Sequence, residues 1–164
     1  MEPKLNKLLQ IGILVKDAEA CVKNYEALGM GPWDIGVTSG KNIPDLYVCG
    51  EKYEEDYVKV AIMNAYGIEF ELVEPLGDTP LKAWVEEHGN GLHHLAFVTE
   101  DKYDDILALY REKKGAEPFA RGQAFNNLMD YSYLDLREEL GMFVECYRNI
   151  KPGRPGIEFS GEAK

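Results

Sequence analysis

An internal repeat is the feature that most limits how this chain can fold. The stretch LLQIGILVKDAEACVKNYEALGMG resembles a later stretch, GLHHLAFVTEDKYDDILALYREKKGAE, with Gln10 aligned to His94 at an offset of 84 residues. Asp17 and Asp101 align at the same offset, and each is predicted to cap the helix that follows it. Each copy begins as an alternating apolar strand and continues as an amphipathic helix that ends at glycine. The chain therefore uses one strand–helix unit twice.

The residues after each helix predict three further strands per copy. The segments are WDIGVTS, YVKVAIMN and GIEFELVEP in the first half, and EPFARGQ, MDYSYLDL and GMFVECYRN in the second. Apolar and polar residues alternate along them, or turn residues bound them, as is typical of short strands. The predicted fold class is α+β, with two tandem βαβββ modules.

The same patterns divide the chain into four parts. We predict a first module over residues 1–76, a linking helix over 77–90, a second module over 91–150 and a C-terminal tail rich in proline and glycine over 151–164. Residues 38–57 have no counterpart in the second copy and are interpreted as an inserted loop.

Composition excludes several kinds of partner. The chain of 164 residues is 45% hydrophobic and 29% charged, and no apolar run approaches the length of about 20 residues that spans a membrane. A net charge of -11 with no basic stripe argues against nucleic acid. The first residues, MEPKLNKLLQ, lack the pattern of a secretory signal, so we expect a soluble cytoplasmic protein.

Strand periodicity points to two polar residues on equivalent first strands. If these strands correspond, Gln10 and His94 face the same way, and small residues, Gly12 and Ala96, follow two positions later. Small neighbours leave space above the polar groups. Since adjacent side chains of a strand point to opposite faces, His93 is predicted to face away.

The last strand of each copy adds a glutamate in one register. Glu71 in FELVE aligns with Glu145 in VECYR at an offset of 74, and each lies between apolar residues of the opposite face. Taken alone, either residue could be a half-exposed carboxylate with a lysine partner, and Gln10 could be an exposed strand residue. As a set with His94, they predict a nitrogen and oxygen site for a divalent metal ion, because inward charges are costly to bury otherwise.

The segments that contain these residues resemble those of a known protein family. Over about residues 6–149 the chain resembles the vicinal oxygen chelate superfamily of glyoxalases, bleomycin-resistance proteins and dioxygenases, through QIGILVKDAEACVKNYEALGMGPW, FELVEPLGDTPLKAWVEEHGNGLHHLAF and GMFVECYR. The middle motif is closest to the methylmalonyl-CoA epimerase branch. The resemblance implies a curled mixed sheet around a cleft in which Gln10, Glu71, His94 and Glu145 hold a divalent ion such as Zn, Co, Ni, Mn or Mg. Many relatives are dimers, so a homodimer is expected by analogy.

The sequence departs from the epimerase pattern at two places. That branch usually has histidine where this chain has Gln10, and the resulting set of ligands is similar to that of zinc-type glyoxalase I. The segment 38–57 is also longer than its epimerase equivalent. Glu55, in EDYVKVA, falls near the position where epimerases carry a catalytic glutamate.

The proposed ligands favour one type of chemistry. Ring-cleaving dioxygenases need two histidines and one carboxylate on iron, so a glutamine in the set disfavours them. Two carboxylates, an imidazole and an amide suit a redox-inert Lewis acid that assists proton removal next to a carbonyl. Glu71 and Glu145 could then serve opposite faces of the substrate as in an epimerase or racemase, and Glu55 is a competing base.

The substrate stays open between two carbonyl classes. An acyl-CoA such as methylmalonyl-CoA is anionic and needs a basic patch, and all five arginines lie in the second half: Arg111, Arg121, Arg137, Arg148 and Arg154. Aromatic residues in segments predicted to rim the cleft favour an aromatic ketone such as an isoflavanone instead, and these are Trp33, Tyr47, Tyr53, Tyr57, Phe125, Tyr131 and Tyr133. The alternatives are glyoxalase I (lactoylglutathione lyase) and a non-catalytic binding protein of the bleomycin-resistance type.

Overall fold

The computed structural model describes residue 5 and residues 7–41, 43, 46–124 and 129–149. The predicted tail over 151–164, with Arg154, and the predicted rim residue Phe125 lie outside these residues. The predicted α+β class is confirmed, because the described strands form one curled, mixed sheet of ten strands with few helices.

The described residues of the first half form six strands and one helix. They are β1 (Lys7–Leu14), α1 (Ala18–Ala27), β2 (Asp34–Ser39), β3 (Tyr47–Val48), β4 (Glu51–Lys52), β5 (Asp56–Ala65) and β6 (Ile68–Pro75). A linking helix, α2 (Pro80–His88), follows close to its predicted position, with Thr79 as its cap.

The described residues of the second half repeat the arrangement but form no counterparts of β3 and β4. Its elements are β7 (Gly91–Val98), a 3₁₀ turn (Glu100–Lys102), α3 (Tyr103–Lys114), β8 (Ala120–Ala124), β9 (Met129–Leu136), α4 (Arg137–Leu140) and β10 (Met142–Asn149). The predicted cap Asp17 accepts a hydrogen bond from the Ala20 N–H at 2.9 Å. The prediction that Asp101 caps α3 is wrong, because the 3₁₀ turn delays the start of this helix. Lys102 is the N-cap residue of α3, and its side chain makes no capping hydrogen bond.

Strand order brings the two halves together at the middle of the sheet. The order is β2-β5-β6-β1-β7-β10-β9-β8-β3-β4. β1 pairs with β6 in parallel and with β7 in antiparallel orientation, and β7 pairs with β10 in parallel. The first and last strands of the two repeats therefore lie side by side in the middle of the sheet, in the order β6-β1-β7-β10.

The inserted segment 38–57 does more than connect two strands. It contains β3 and β4, and Val48 of β3 pairs with Ala120 of β8 at the far end of the sheet from β2. Leu46 is fully buried in a cluster with residues of the concave face. The insertion thus crosses from one end of the curled sheet to the other and covers its concave side.

Apolar residues pack on both faces of the sheet. On the convex face, Leu72 packs with residues of α1, while Val144 and Cys146 pack with residues of α3. These three residues lie opposite the neighbouring Glu71 and Glu145, as strand alternation predicts. The described helices include none that is long and apolar enough to cross a lipid bilayer.

Candidate functional site

Four polar side chains converge at the centre of the concave face. The Nε2 atom of His94 lies 2.7 Å from Oε1 of Gln10, 3.2 Å from Oε2 of Glu145 and 3.5 Å from Oε2 of Glu71. These are the four residues that the sequence repeat singles out, and each comes from one of the four central strands.

A glycine makes this convergence sterically feasible. Gly12 of β1 pairs with Glu71 on one side and with His94 on the other. The imidazole of His94 lies directly over it, because a Cβ at Gly12 would lie 2.0, 2.2 and 2.5 Å from three atoms of that ring. The space that the missing side chain of Gly12 leaves is therefore filled by the imidazole ring of His94.

Burial sets the protonation of the cluster. His94 and Glu145 are 0% and 1% exposed, and Glu71 is 8% exposed. Burial, with a smaller contribution from Glu69, raises the pKa of Glu71 to about 8. Burial and then the charge of Glu71 raise the pKa of Glu145 well above its usual range, whereas burial lowers the pKa of His94 well below its own. Without a cation, both carboxyls are therefore predominantly neutral near pH 7.

Several atoms of the cluster lack hydrogen-bond partners. Both carboxylate oxygens of Glu145 and Oε2 of Glu71 are buried without a hydrogen bond of good geometry among the described residues. The nearby hydroxyls of Tyr133 and Tyr147 counteract only part of the rise in the pKa of Glu145. Buried oxygens without partners are costly in a protein interior, and a cation would relieve that cost.

The donor set fits a divalent ion, although it is not arranged around one. No group of three or more acidic, histidine or cysteine residues in the described part of the chain forms a ready metal site. Ligands about 2.1 Å from one ion lie roughly 3.0–3.4 Å apart. The distances of 2.7–3.5 Å from His94 Nε2 to the three oxygens bracket this range, so small side-chain shifts suffice.

The structure adds a third buried carboxyl that the sequence analysis missed. Glu69 accepts a short hydrogen bond from the Gln10 amide nitrogen, which turns the amide oxygen toward His94. Burial raises the pKa of Glu69. The sequence spacing could have identified it, because Glu69 precedes Glu71 by two residues and its side chain therefore lies on the same face of the strand. Tyr147, which borders the cavity two residues after Glu145, was missed in the same way.

The prediction that His93 faces away is wrong. Gly12 pairs with His94, yet the next residue of β1, Ile13, pairs with Leu92. His93 is therefore an extra residue in a β-bulge, which interrupts the alternation of side chains. The two rings meet with their Nδ1 atoms 2.8 Å apart, and His93 also packs against Phe143.

The structure does not bring Glu55 to the cluster. Its side chain is 78% exposed and lies 3.5 Å from the Lys41 ammonium. The insertion carries this residue outside, whereas Tyr57, two residues further along β5, is buried.

A cavity of about 240 Å³ lies over the cluster. Its walls combine aliphatic residues of β5, β6, α2 and the inserted segment with tyrosines of β5, β9 and β10. The tyrosines are Tyr57, Tyr131, Tyr133 and Tyr147, and the aliphatic residues are Ile43, Val58, Val60, Ile62, Val73 and Leu81. Trp33, Tyr47 and Tyr53, which were predicted at the rim, do not line it.

The described arginines do not line this cavity either. Arg111 pairs with Glu117, Arg137 with Asp135, and Arg148 with Asp130 and Asp104. Arg121 lies over the ring of Tyr47. The basic patch considered for an anionic substrate is therefore not formed beside the cavity by these four residues.

Comparison with known proteins agrees with this architecture. The chain is 31% identical over 146 residues to the uncharacterized protein YqjC of Bacillus subtilis (strain 168), covering 86% of this chain and 91% of that one. Its fold is similar to methylmalonyl-CoA epimerase of Mycobacterium tuberculosis, with a TM-score of 0.61 and 16% identity over 90% of this chain and 91% of the other. It is also similar to a variant of the Streptomyces coelicolor methylmalonyl-CoA epimerase in complex with 2-nitronate-propionyl-CoA, with a TM-score of 0.59 and 21% identity over 92% and 99% of the two chains.

The family model for the Glyoxalase/Bleomycin resistance protein/Dioxygenase superfamily matches residues 9–133, which span most of both repeats. The resemblance of the repeat motifs to this superfamily is thus confirmed. The chain belongs to the Glyoxalase/Bleomycin resistance protein/Dioxygenase superfamily.

Proposed function

We propose that this protein is a metal-dependent epimerase or racemase, which removes and returns a proton on the carbon next to a carbonyl group. One observation carries the proposal. Glu71 and Glu145 are two buried carboxyls whose oxygens include some with no hydrogen-bond partner among the described residues. They come from equivalent strands of the two repeats and meet beside His94 at the wall of a cavity.

Gln10, Glu71, His94 and Glu145 would hold the divalent ion, with Zn, Co, Ni, Mn and Mg as candidates. When bound, such an ion acts as a Lewis acid that stabilises negative charge on a carbonyl oxygen. Glu69 supports this set by holding the Gln10 amide so that its oxygen faces inward.

The two carboxyls would exchange protons with the substrate from opposite sides. Each carboxylate has two oxygens, so one can bind the ion while the other reaches the α-carbon. One glutamate accepts the proton from the C–H bond, and the other, protonated, donates a proton to the opposite face. Burial raises the pKa of both groups in the absence of an ion, which opposes the lowering that a nearby cation would cause and favours acid–base function near neutral pH.

The cavity favours a compact, uncharged carbonyl substrate. Its walls are mainly aliphatic and tyrosine side chains, and its volume of about 240 Å³ is just below the range of about 300–1,000 Å³ typical of small-molecule sites. The paired arginines offer little to the phosphates of an acyl-CoA. We therefore favour an aromatic ketone over methylmalonyl-CoA, the other class under consideration.

Solvent deuterium exchange tests the proposal. Protein loaded in turn with each candidate ion is incubated in D₂O with an isoflavanone, with methylmalonyl-CoA and with the hemithioacetal of methylglyoxal and glutathione, and incorporation is followed by mass spectrometry. We expect ion-dependent exchange at the α-carbon. Glu145→Gln should reduce it by about 10²–10⁴-fold, the usual contribution of a general acid or base.

Glu55→Gln is the matched control and should retain full exchange, because Glu55 is exposed beside Lys41. Undiminished exchange in Glu145→Gln would contradict the assigned role. Conversion of the hemithioacetal alone would instead establish glyoxalase I chemistry. Binding of these compounds without exchange under any ion would indicate a binding protein of the bleomycin-resistance type.

A further inference from the structure

The bulge joins His93 to the candidate metal ligand His94 through one hydrogen bond. Their Nδ1 atoms are 2.8 Å apart, so one must donate and the other must accept. Both rings are buried, and His93 Nε2 has no hydrogen-bond partner among the described residues. A charged imidazole would be costly in these surroundings, so each ring is neutral and carries a single N–H. The protonated nitrogen of one ring thus determines the protonated nitrogen of the other.

Contacts of Gln10 fix the arrangement without an ion. The Gln10 amide nitrogen donates to Glu69, so its oxygen is the atom 2.7 Å from His94 Nε2. An amide oxygen only accepts, and His94 Nε2 must therefore carry the hydrogen. His94 Nδ1 is then the acceptor, His93 Nδ1 donates to it, and His93 Nε2 carries no hydrogen.

An ion on His94 reverses this arrangement. A ligating ring nitrogen carries no hydrogen, so the hydrogen of His94 must reside on Nδ1. His93 Nδ1 then becomes the acceptor, and the hydrogen of His93 resides on Nε2. That atom is buried and has no hydrogen-bond partner among the described residues. The His93 ring lies between the cavity over the cluster and a smaller cavity that Arg137 and Phe143 also line.

We propose that ion binding at His94 converts His93 Nε2 from an acceptor into a donor, which then binds an oxygen of a ligand in the cavity over the cluster. The inference rests on the proposed function, since it requires His94 to be a metal ligand. His93 is thus a positioning residue: it holds the tautomer of His94 and presents an N–H to a carbonyl or hydroxyl oxygen. The ion then has to bind before a ligand of this class is held well.

Nitrogen NMR of the wild-type protein tests the switch without an activity assay. The ring nitrogens of ¹⁵N-histidine-labelled protein are assigned before and after addition of one equivalent of zinc. We expect the protonated nitrogen of His93 to change from Nδ1 to Nε2 as His94 Nε2 acquires the shift of a metal-bound nitrogen. Metal binding at His94 with no change at His93 would overturn this inference alone. No response of His94 to zinc would overturn the proposed metal site and, with it, the switch.

A ligand probe tests the donor role. Acetophenone carries one accepting oxygen, and ethylbenzene has a similar shape without it. In the zinc-loaded protein, acetophenone should shift the His93 Nε2–H resonance and ethylbenzene should not. Equal responses to the two compounds, or none to either, would overturn the assignment of an oxygen to this donor.

Substitution provides an independent measurement. His93→Phe keeps an aromatic ring against Phe143 and Tyr133 but removes both nitrogens. Zinc affinity, measured by competition with a chromophoric chelator, should fall about 10–100-fold, the usual effect of losing the partner of a ligating histidine. His88→Phe is the control, because His88 stacks on Trp84 away from the cluster and its loss should leave the affinity unchanged. Equal affinities in the two variants would count against His93.

Discussion

Replacement of Gly12 by alanine tests whether the packing under His94 holds the site together. The new Cβ would lie 2.0 Å from Cε1 of the ring, whereas ordinary contacts of a Cβ begin at 3.4 Å. The ring cannot retreat freely, because it is fully buried and contacts His93, Gln10 and Tyr133. Overpacking of this kind typically costs about 1–3 kcal/mol, and the rigidity of the surroundings places Gly12→Ala toward the upper end.

Urea unfolding measures this cost directly. For a protein of this size, stability falls by about 1–3 kcal/mol per molar urea, so a loss of about 2 kcal/mol lowers the midpoint by roughly 1 M. Gly36→Ala is the matched control, because Gly36 lies on the edge strand β2 with nothing within 4 Å of a Cβ. It should change the free energy of unfolding by no more than about 0.5 kcal/mol.

Zinc affinity gives a second readout, since displacement of His94 should weaken ion binding in Gly12→Ala and leave Gly36→Ala unaffected. If both variants unfold at the same urea concentration and bind zinc equally, the ring does not lie over Gly12 and the geometry of the cluster is incorrect.

Three further outcomes follow from the buried carboxyls. The folded, ion-free protein keeps protons on Glu71 and Glu145 that the unfolded chain releases, so its stability should fall as pH rises from about 7 to 9. Below this range the lowered pKa of the buried His93 and His94 acts in the opposite direction. Urea unfolding at fixed salt measures the profile, and a flat profile from about pH 7 to 9 would argue against the raised pKa values. Glu71→Gln should remove part of that fall and leave the ion-free protein more stable than wild type at pH 9, in the same assay. Zinc should bind with release of protons, and its affinity should rise between about pH 6 and 8. Calorimetry in buffers of different ionisation enthalpy measures the number of protons released. If none is released, the carboxyls are already ionised before zinc binds.

Much of the fold could be predicted because repeats and alternation are local patterns. The offset between Gln10 and His94 placed two strands in equivalent positions, and a period of two assigned each side chain to a face. The same reasoning selected Glu71 and Glu145, and the structure brings all four side chains to one point.

What escaped prediction depends on pairing between distant segments. A bulge exists only relative to a partner strand, so the sequence near His93 gave no sign that its ring would turn inward. The pairing of Val48 with Ala120, which carries the insertion across the cleft and leaves Glu55 outside, is equally non-local. Glu69, in contrast, could have been predicted from the same alternation of side chains that selected Glu71.

X-ray diffraction at the zinc absorption edge, from crystals grown with stoichiometric zinc, tests the metal site most directly. We expect one strong anomalous peak about 2.1 Å from His94 Nε2 and from oxygens of Gln10, Glu71 and Glu145. Anomalous peaks only elsewhere, with the Gln10 oxygen still 2.7 Å from His94 Nε2, would contradict a metal centre at this cluster.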